Sequence, residues 1–99
     1  MGSSTSRVMR GAFVGTGADI DIETVGFRPR SVHLINQDSA DEMWWHSHMA
    51  DASAFKRVTA GTGSIITTLG ITPLAAGFTL GADTDLNVDG ETVLWEATE

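Results

Sequence analysis

The sequence predicts an all-β domain, an antiparallel β-sandwich or small barrel of about eight strands with an extended N-terminal arm. Three observations lead to this fold class: helical periodicity is almost absent, β-branched and aromatic residues recur in short runs, and Gly, Pro, Asn and Asp separate these runs. A chain of 99 residues fits one compact domain. We therefore expect an arm over residues 1–10 and a single domain over residues 11–99.

The first half of the chain contains three predicted strands. The first covers residues 8–14 and ends at the turn Gly15-Thr16-Gly17. In residues 19–23 isoleucines alternate with acidic residues, so one face of the second strand is apolar and the other is solvated. Pro29 then interrupts the pattern, because it cannot donate a ladder hydrogen bond. The third predicted strand covers residues 31–36.

The second half alternates between short strands and turns. Strands are predicted over residues 43–49, 55–59, 64–69, 71–74 with 77–81, 85–88 and 91–97. The turn composition of residues 60–63 suits a hairpin. Asp89-Gly90 predicts a second hairpin, which joins residues 85–88 to residues 91–97, because a type I′ turn needs positive φ at both central residues.

Charge and composition exclude several classes of function. Thirteen acidic against six basic residues give a formal net charge of −7, and the chain has no cysteine. The acidic excess disfavours a nucleic-acid partner, and the lack of cysteine excludes disulfides and thiol chemistry. No run approaches the roughly 20 apolar residues that cross a bilayer, and the N-terminus lacks the apolar centre of a signal peptide. We expect no nucleic-acid partner, no membrane partner and no cofactor.

The basic residues form two pairs, Arg7 with Arg10 and Arg28 with Arg30 around Pro29. A nucleic-acid interface is one interpretation of these pairs, but phosphate binding requires larger clusters of Lys and Arg. We expect all four arginines to lie at a protein interface or in surface ion pairs.

His46-Ser47-His48 is the strongest candidate for a metal site, because residues i and i+2 of a strand point to the same side. Zinc needs a third and usually a fourth protein ligand, and His33 is the only other histidine. The alternative is that His46 and His48 lie on an exposed or interfacial strand face beside Trp44. We expect this alternative, and no bound metal.

Residues 83–90 carry acidic or amide oxygens at alternate positions and so resemble the start of a calcium loop. An EF-hand needs glycine at its sixth position and glutamate at its twelfth, where this chain has Val88 and Leu94. No nucleophile elbow and no phosphate loop occurs in the sequence. We therefore expect no enzymatic activity.

Trp44 and Trp45 are adjacent, so on a strand their rings point to opposite faces of the sheet. One face cannot bury both rings. We expect one tryptophan in the core and the other against a neighbouring subunit, because large aromatic residues dominate protein interfaces. A platform for a sugar ring is the alternative for the outward ring.

The N-terminal arm, from Met1 to Arg7, has the composition of a tail. Fixing such an arm costs about 1 to 2 kcal/mol per residue for the backbone alone. We expect contacts of Met1, Arg7 and Arg10 with a partner to offset this cost, and therefore an assembly subunit.

The order of these motifs resembles small β-rich modules in structural proteins of tailed bacteriophages, which include capsid decoration or cement proteins and tail-fibre domains. The resemblance runs from Gly11 to Ala97. It rests on residues 11–17, Gly26-Phe27-Arg28-Pro29 with Val32 and Asn36, residues 77–81, Asn87, Gly90, Trp95 and Ala97. It implies an all-β fold and a structural role in the virion, and it carries no catalytic residues. The segment from Trp44 to Met49 departs from the pattern in its aromatic and histidine content.

The function that the resemblance implies is that of a capsid decoration protein, which binds the outer shell and stabilises contacts between capsid subunits. Its partner would be the phage major capsid protein, and its location the phage particle, assembled in the host cytoplasm. We also expect a homo-oligomer, for which a trimer is one arrangement. The main alternative is a tail or tail-fibre module that recognises a host surface glycan, and a metal-dependent enzyme centred on His46 and His48 is a third interpretation.

Overall fold

A computed structural model describes residues 7–59 and 61–99 of the chain. The described residues form eight strands and no helix. The strands are β1 (Val8–Val14), β2 (Ile20–Ile22), β3 (Ser31–Asn36), β4 (Glu42–His46), β5 (Ser53–Arg57), β6 (Gly63–Leu74), β7 (Gly77–Leu80) and β8 (Thr92–Thr98).

All eight strands belong to one antiparallel sheet with the order β1-β8-β3-β4-β5-β6-β7-β2. The sheet curls into a half-barrel, with β1 and β2 as its edge strands. The prediction of an all-β fold of about eight strands is confirmed. The finer expectation of a sandwich or small barrel is not confirmed, because the strands form one continuous sheet whose two edge strands each pair with a single neighbour.

The core lies on the concave face of the sheet. In β3 every second residue is fully buried, because alternate side chains of a strand point to the same face. β4 and β8 repeat this alternation with Met43 and Trp45 and with Val93, Trp95 and Ala97. The ring of Trp95 covers Gly11 of β1, where a Cβ atom would lie 2.5 Å from the indole. The fold therefore needs glycine at this position.

Strand β6 changes partner along its length and so forms the corner of the half-barrel. Ala54 of β5 pairs with Ile66, but the preceding residue, Ser53, pairs with Ile71. Residues 67–70 of β6 are therefore extra relative to β5, and beyond them β6 pairs with β7. Pro73 lies in this second part, where β5 has ended and a missing N–H group costs no ladder bond.

Residues 23–30 close one end of the concave face. The N–H of Gly26 donates to Ala76 O at 3.0 Å, and the N–H of Arg30 donates to Thr98 O at 2.7 Å. This segment thus connects the β6–β7 turn to the end of β8. Val25 and Phe27 point inward and are buried in the core.

Residues 81–91 close the other end, and hydrogen bonds of the Asn87 side chain hold them to residues 16–18. Its Oδ1 accepts from the N–H groups of Thr16 at 2.9 Å and Gly17 at 3.3 Å. Its Nδ2 donates to Ala18 O at 2.6 Å and to Gly81 O at 3.0 Å. Leu86 of the same segment is fully buried, so the segment fills the core as well as covering it.

Several predicted boundaries differ from the structure. The strand predicted over residues 43–49 ends at His46, and His48 lies in the turn that follows. Residues 85–88 form turns and not a strand, so Asp89-Gly90 does not join a hairpin, although Gly90 does have a positive φ of 84°. The Asp83 carboxylate explains the difference, because it accepts from the N–H groups of Asp85 and Leu86 and holds the backbone in a turn. The first strand has its predicted bounds, Val8–Val14, so residues 8–10 of the predicted arm belong to the sheet; residues 1–6 lie outside the described residues.

Within the described part of the chain, no helix is long and apolar enough to span a membrane.

The closure by Asn87 predicts a large loss of stability in Asn87→Ala. The part-buried N–H groups of Thr16 and Gly17 would lose their acceptor and two carbonyls their donor, so the free energy of unfolding should fall by about 2 to 4 kcal/mol. Urea denaturation measures this loss. Gln37→Ala, which removes an exposed amide, is the control and should change stability by less than about 0.5 kcal/mol. Equal losses in both variants would contradict this role of Asn87.

Asp41 provides a pH-dependent link between the β3–β4 loop and the turn that follows β5. Its Oδ1 accepts from Thr59 N at 2.7 Å and Oγ1 at 2.9 Å, and its Oδ2 accepts from Ser39 Oγ at 3.0 Å. Burial opposes ionisation, but these hydrogen bonds outweigh it and lower the pKa of Asp41 below its ordinary value of 3.8.

A lowered carboxyl pKa means that this link stabilises the fold above about pH 4 and is lost as the pH falls further. The difference in unfolding free energy between the natural protein and Asp41→Asn should therefore shrink between pH 7 and pH 3. Urea denaturation at each pH measures it. A difference that stays constant over this range would show that the ionised carboxylate is not what stabilises the loop.

Candidate functional site

The two adjacent tryptophans lie on opposite faces of β4. Trp45 is 2% exposed and belongs to the core, and its Nε1 donates to Ala50 O at 3.2 Å. Trp44 is 54% exposed on the convex face. Of the two predicted interface tryptophans, Trp44 is thus the one whose ring is accessible to a partner.

The strand register places Trp44 in the middle of a row that crosses six strands on the convex face. The row consists of Arg10, Glu96, His33, Trp44, Phe55 and Ile65, in the order β1, β8, β3, β4, β5, β6. One half of this row is charged or polar and the other half is apolar. Trp44 lies at the boundary between the two halves.

The apolar half forms a shallow depression of about 380 Å³, which we call the Trp44 patch. It is lined by Trp44, His46, Met49, Phe55 and Ile65. Ile65 is 62% exposed, the highest value among the exposed large apolar residues. Phe55 lies over Gly63, where a Cβ atom would come within 2.7 Å of the ring, so a larger residue at Gly63 would displace the ring.

Ion pairs lie within the polar half of the row and beside it. Arg10 contacts Glu96 at 2.7 Å and Arg57 contacts Glu42 at 3.0 Å, while His33 Nε2 lies 3.9 Å from the same Glu42 carboxylate. A second depression, of about 320 Å³, lies between this half and the ring of Trp44 and is lined by Ser31, His33, Glu42, Trp44 and Glu96. It combines an aromatic face with carboxylates and an imidazole.

Of the two histidines of the candidate metal site, His46 is the last residue of β4 and His48 lies in the turn that follows. The ring centroids of His46 and His48 are 6.1 Å apart, and the N–H of His48 donates to His46 Nδ1 at 3.3 Å. His33 packs against Trp44 instead, with its ring centroid 5.9 Å away. Among residues 7–59 and 61–99, no three His, Asp or Glu side chains converge as metal ligands would.

The predicted interface arginines lie at separate places. Arg7 pairs with Glu99 at 2.7 Å, and its hydrogen bond raises the pKa of Arg7 and lowers that of Glu99. Its guanidinium also lies 5.1 Å from the ring centroid of Phe27. Arg28 and Arg30 line a cleft of about 340 Å³ beside the edge of Trp45. The four arginines therefore form no single basic surface, and Met1 lies outside the described residues.

The acidic residues that resemble a calcium loop have a structural role. Lys56 Nζ contacts Asp83 Oδ2 at 2.9 Å and Asp85 Oδ2 at 2.6 Å. Burial opposes the charge of Lys56, but its hydrogen bonds to the two carboxylates outweigh this and raise the pKa of the lysine. These carboxylates thus hold residues 81–91 to β5.

Sequence reasoning did not find the partners of Trp44 in the patch. Phe55 and Ile65 occupy strand positions whose side chains face the convex side, and alternation within each strand could have shown that. Their place beside Trp44 depends on the pairing order β4-β5-β6, which short-range patterns do not give.

Comparison of the chain with protein-family models, with curated proteins and with solved structures gave no match.

The burial of the two tryptophans predicts opposite effects of their removal. Trp45→Ala leaves a cavity in the core and should lower the free energy of unfolding by about 3 to 5 kcal/mol. Trp44→Ala removes an exposed ring and should change it by less than about 1 kcal/mol. Urea denaturation compares the two variants. Equal destabilisation would contradict the assignment of Trp45 to the core and Trp44 to the surface.

Proposed function

We propose that this protein is a bacteriophage virion structural protein, most specifically a capsid decoration or cement protein. In this proposal it binds the major capsid protein on the outside of the shell and stabilises contacts between capsid subunits. The single observation that carries it is the Trp44 patch, an exposed apolar surface on the convex face of the sheet.

The patch has the features of the centre of a protein interface. Tryptophan is the residue most enriched among interface residues that dominate binding, and Phe55, Ile65 and Met49 surround it with apolar area. Charged pairs lie on one side of it, as they do at the rim of an interface. Contact with a capsid subunit would remove this apolar surface from water, which favours binding.

The resemblance to tailed-phage modules supports the choice of the shell as partner. In the proposal the N-terminal arm, residues 1–6, adds a second contact with the shell. The protein acts as a homo-oligomer without enzymatic activity, and it is located in the virion.

A glycan-binding tail or fibre module is the second candidate. The depression that Trp44 shares with His33, Glu42 and Glu96 favours it, because sugar rings stack on aromatic faces while their hydroxyls bond to carboxylates. Glycan-array binding that disappears in Trp44→Ala would support this candidate over the capsid role.

Cosedimentation with empty shells tests the proposal. The shells are assembled from the major capsid protein encoded by the genome that encodes this chain. The intact protein should sediment with them. Trp44→Ala and Ile65→Ala should each weaken binding by about tenfold or more, because each removes apolar area from the centre of the contact. The control is Leu69→Ala, which shortens another exposed apolar residue, on the β6 corner, and should bind as the intact protein does.

A variant that begins at Arg7 tests the arm separately. This truncation keeps all of β1, whereas removal of residues 1–10 would also delete three residues that pair with β8. It should stay folded and bind shells more weakly. Intact protein that does not sediment with shells would overturn the capsid role, and undiminished binding of the truncated variant would overturn only the role of the arm.

A further inference from the structure

The two edges of the sheet differ in how well they are protected against pairing with another strand. β1 has seven residues, all paired with β8 in one register, and it contains neither a proline nor a bulge. β2 has three residues, of which Asp21 faces outward beside the acidic Asp19 and Glu23. Natural proteins protect edges by shortness and charge, so β2 is protected and β1 is open.

Backbone geometry shows which groups of β1 are available. The carbonyl of Arg7 accepts from Glu99 N at 2.8 Å, and the N–H of Gly15 donates to Glu91 O at 2.8 Å. Arg7 and Gly15 thus turn their backbone N–H and C=O groups toward β8. Because this direction alternates along a strand, the odd-numbered residues of β1 do the same, and the even-numbered residues turn these groups away from β8. Within the described chain nothing pairs with these outward groups, which belong to Val8, Arg10, Ala12 and Val14.

We propose that β1 pairs antiparallel with β1 of a second copy of this chain, around a two-fold axis at Gly11. Val8 then lies opposite Val14 of the second copy, and Arg10 lies opposite Ala12 of the second copy. Each outward N–H and C=O of β1 gains a partner, so the sheets of the two copies become continuous. This dimer does not depend on the capsid role, and it specifies the homo-oligomer left open above.

The side chains of β1 match themselves in this register. On the convex face Val8, 48% exposed, meets Val14, 55% exposed, and apolar pairs directly across a sheet stabilise it. On the concave side Met9, 43% exposed, meets Phe13 of the second copy, and Gly11 meets Gly11. No like charges lie opposite each other.

Charge, strand length and symmetry also favour pairing of β1 with β1 of a second copy over pairing with β2 of a second copy. The cations near β1 are already paired, Arg7 with Glu99 and Arg10 with Glu96, so two β1 edges approach without net repulsion. Pairing of β1 with β2 would use only the three residues of β2 and leave most of β1 open. A two-fold contact moreover closes at two copies, whereas a contact between different edges continues into a filament.

A pair of charge substitutions at Ala12 tests the register. Ala12→Arg places a cation opposite Arg10 of the second copy at two symmetric positions, and it should raise the dimer dissociation constant by about tenfold or more. Ala12→Glu places a carboxylate there and should lower it. Sedimentation equilibrium measures the constant for the intact chain and both variants. Circular dichroism checks that each variant is folded. If Ala12→Arg does not fold, the change in the dissociation constant of Ala12→Glu tests the register by itself.

A distance measurement tests the axis. The chain has no cysteine, so Val14→Cys gives one site for a spin label per copy. In the proposed dimer the two residues at position 14 are six residues apart along the strands, or about 20 Å at about 3.4 Å per residue. Double electron–electron resonance measures this distance.

A dimer with opposite shifts at Ala12 and a label distance near this value supports the proposal. It is overturned by a chain that is monomeric at every concentration at which it stays in solution, by a trimer, by insensitivity to both Ala12 substitutions, or by a clearly different distance. A monomer that binds shells through Ala12 would show that a capsid strand occupies the edge instead, and the capsid role would then survive while this inference fails.

Discussion

The whole architecture depends on closing a half-barrel without a second sheet. One curled sheet leaves the two ends of its concave face open, and strand residues alone cannot cover them. Residues 23–30 and residues 81–91 fill these openings with Val25, Phe27 and Leu86. Irregular segments carry backbone polar groups into the interior, so each needs specific hydrogen-bond partners. Buried Asn and Asp side chains supply them, and every buried side-chain polar atom among the described residues has a partner.

This constraint explains where sequence reasoning worked and where it did not. Alternation of isoleucines with acidic residues gave β2, and the adjacency of the two tryptophans gave their opposite directions, because the period of two is set within the strand itself. The hairpin at Asp89-Gly90 was wrong because the Asp83 carboxylate accepts from the N–H groups of Asp85 and Leu86, which a strand would have used. Side-chain competition of this kind depends on distant partners such as Lys56, which no local pattern reveals.

In the candidate site, too, local patterns predicted some features, and others depend on residues that are distant in the sequence. Adjacent tryptophans predicted one outward ring, and Trp44 is that ring. Its neighbours Phe55 and Ile65 are 11 and 21 positions further along the chain and reach it only because β4, β5 and β6 are consecutive in the sheet. Arg7 and Arg10, which the sequence grouped with the interface, are held by Glu99 and Glu96 on the edge pair β1–β8. The Trp44 patch and the β1 edge are thus separate surfaces.

The extra residues 67–70 of β6 form a corner, and their number does not set the register of the strands on either side. Elsewhere a one-residue insertion would shift the register and exchange the two faces of a strand. At this corner, an insertion lies between Ile66, where the first register with β5 ends, and Ile71, where pairing with β7 begins, so each part keeps its own alignment. Variation in loop length can therefore accumulate here and alter the curvature of the sheet, while the chemistry of both faces is preserved.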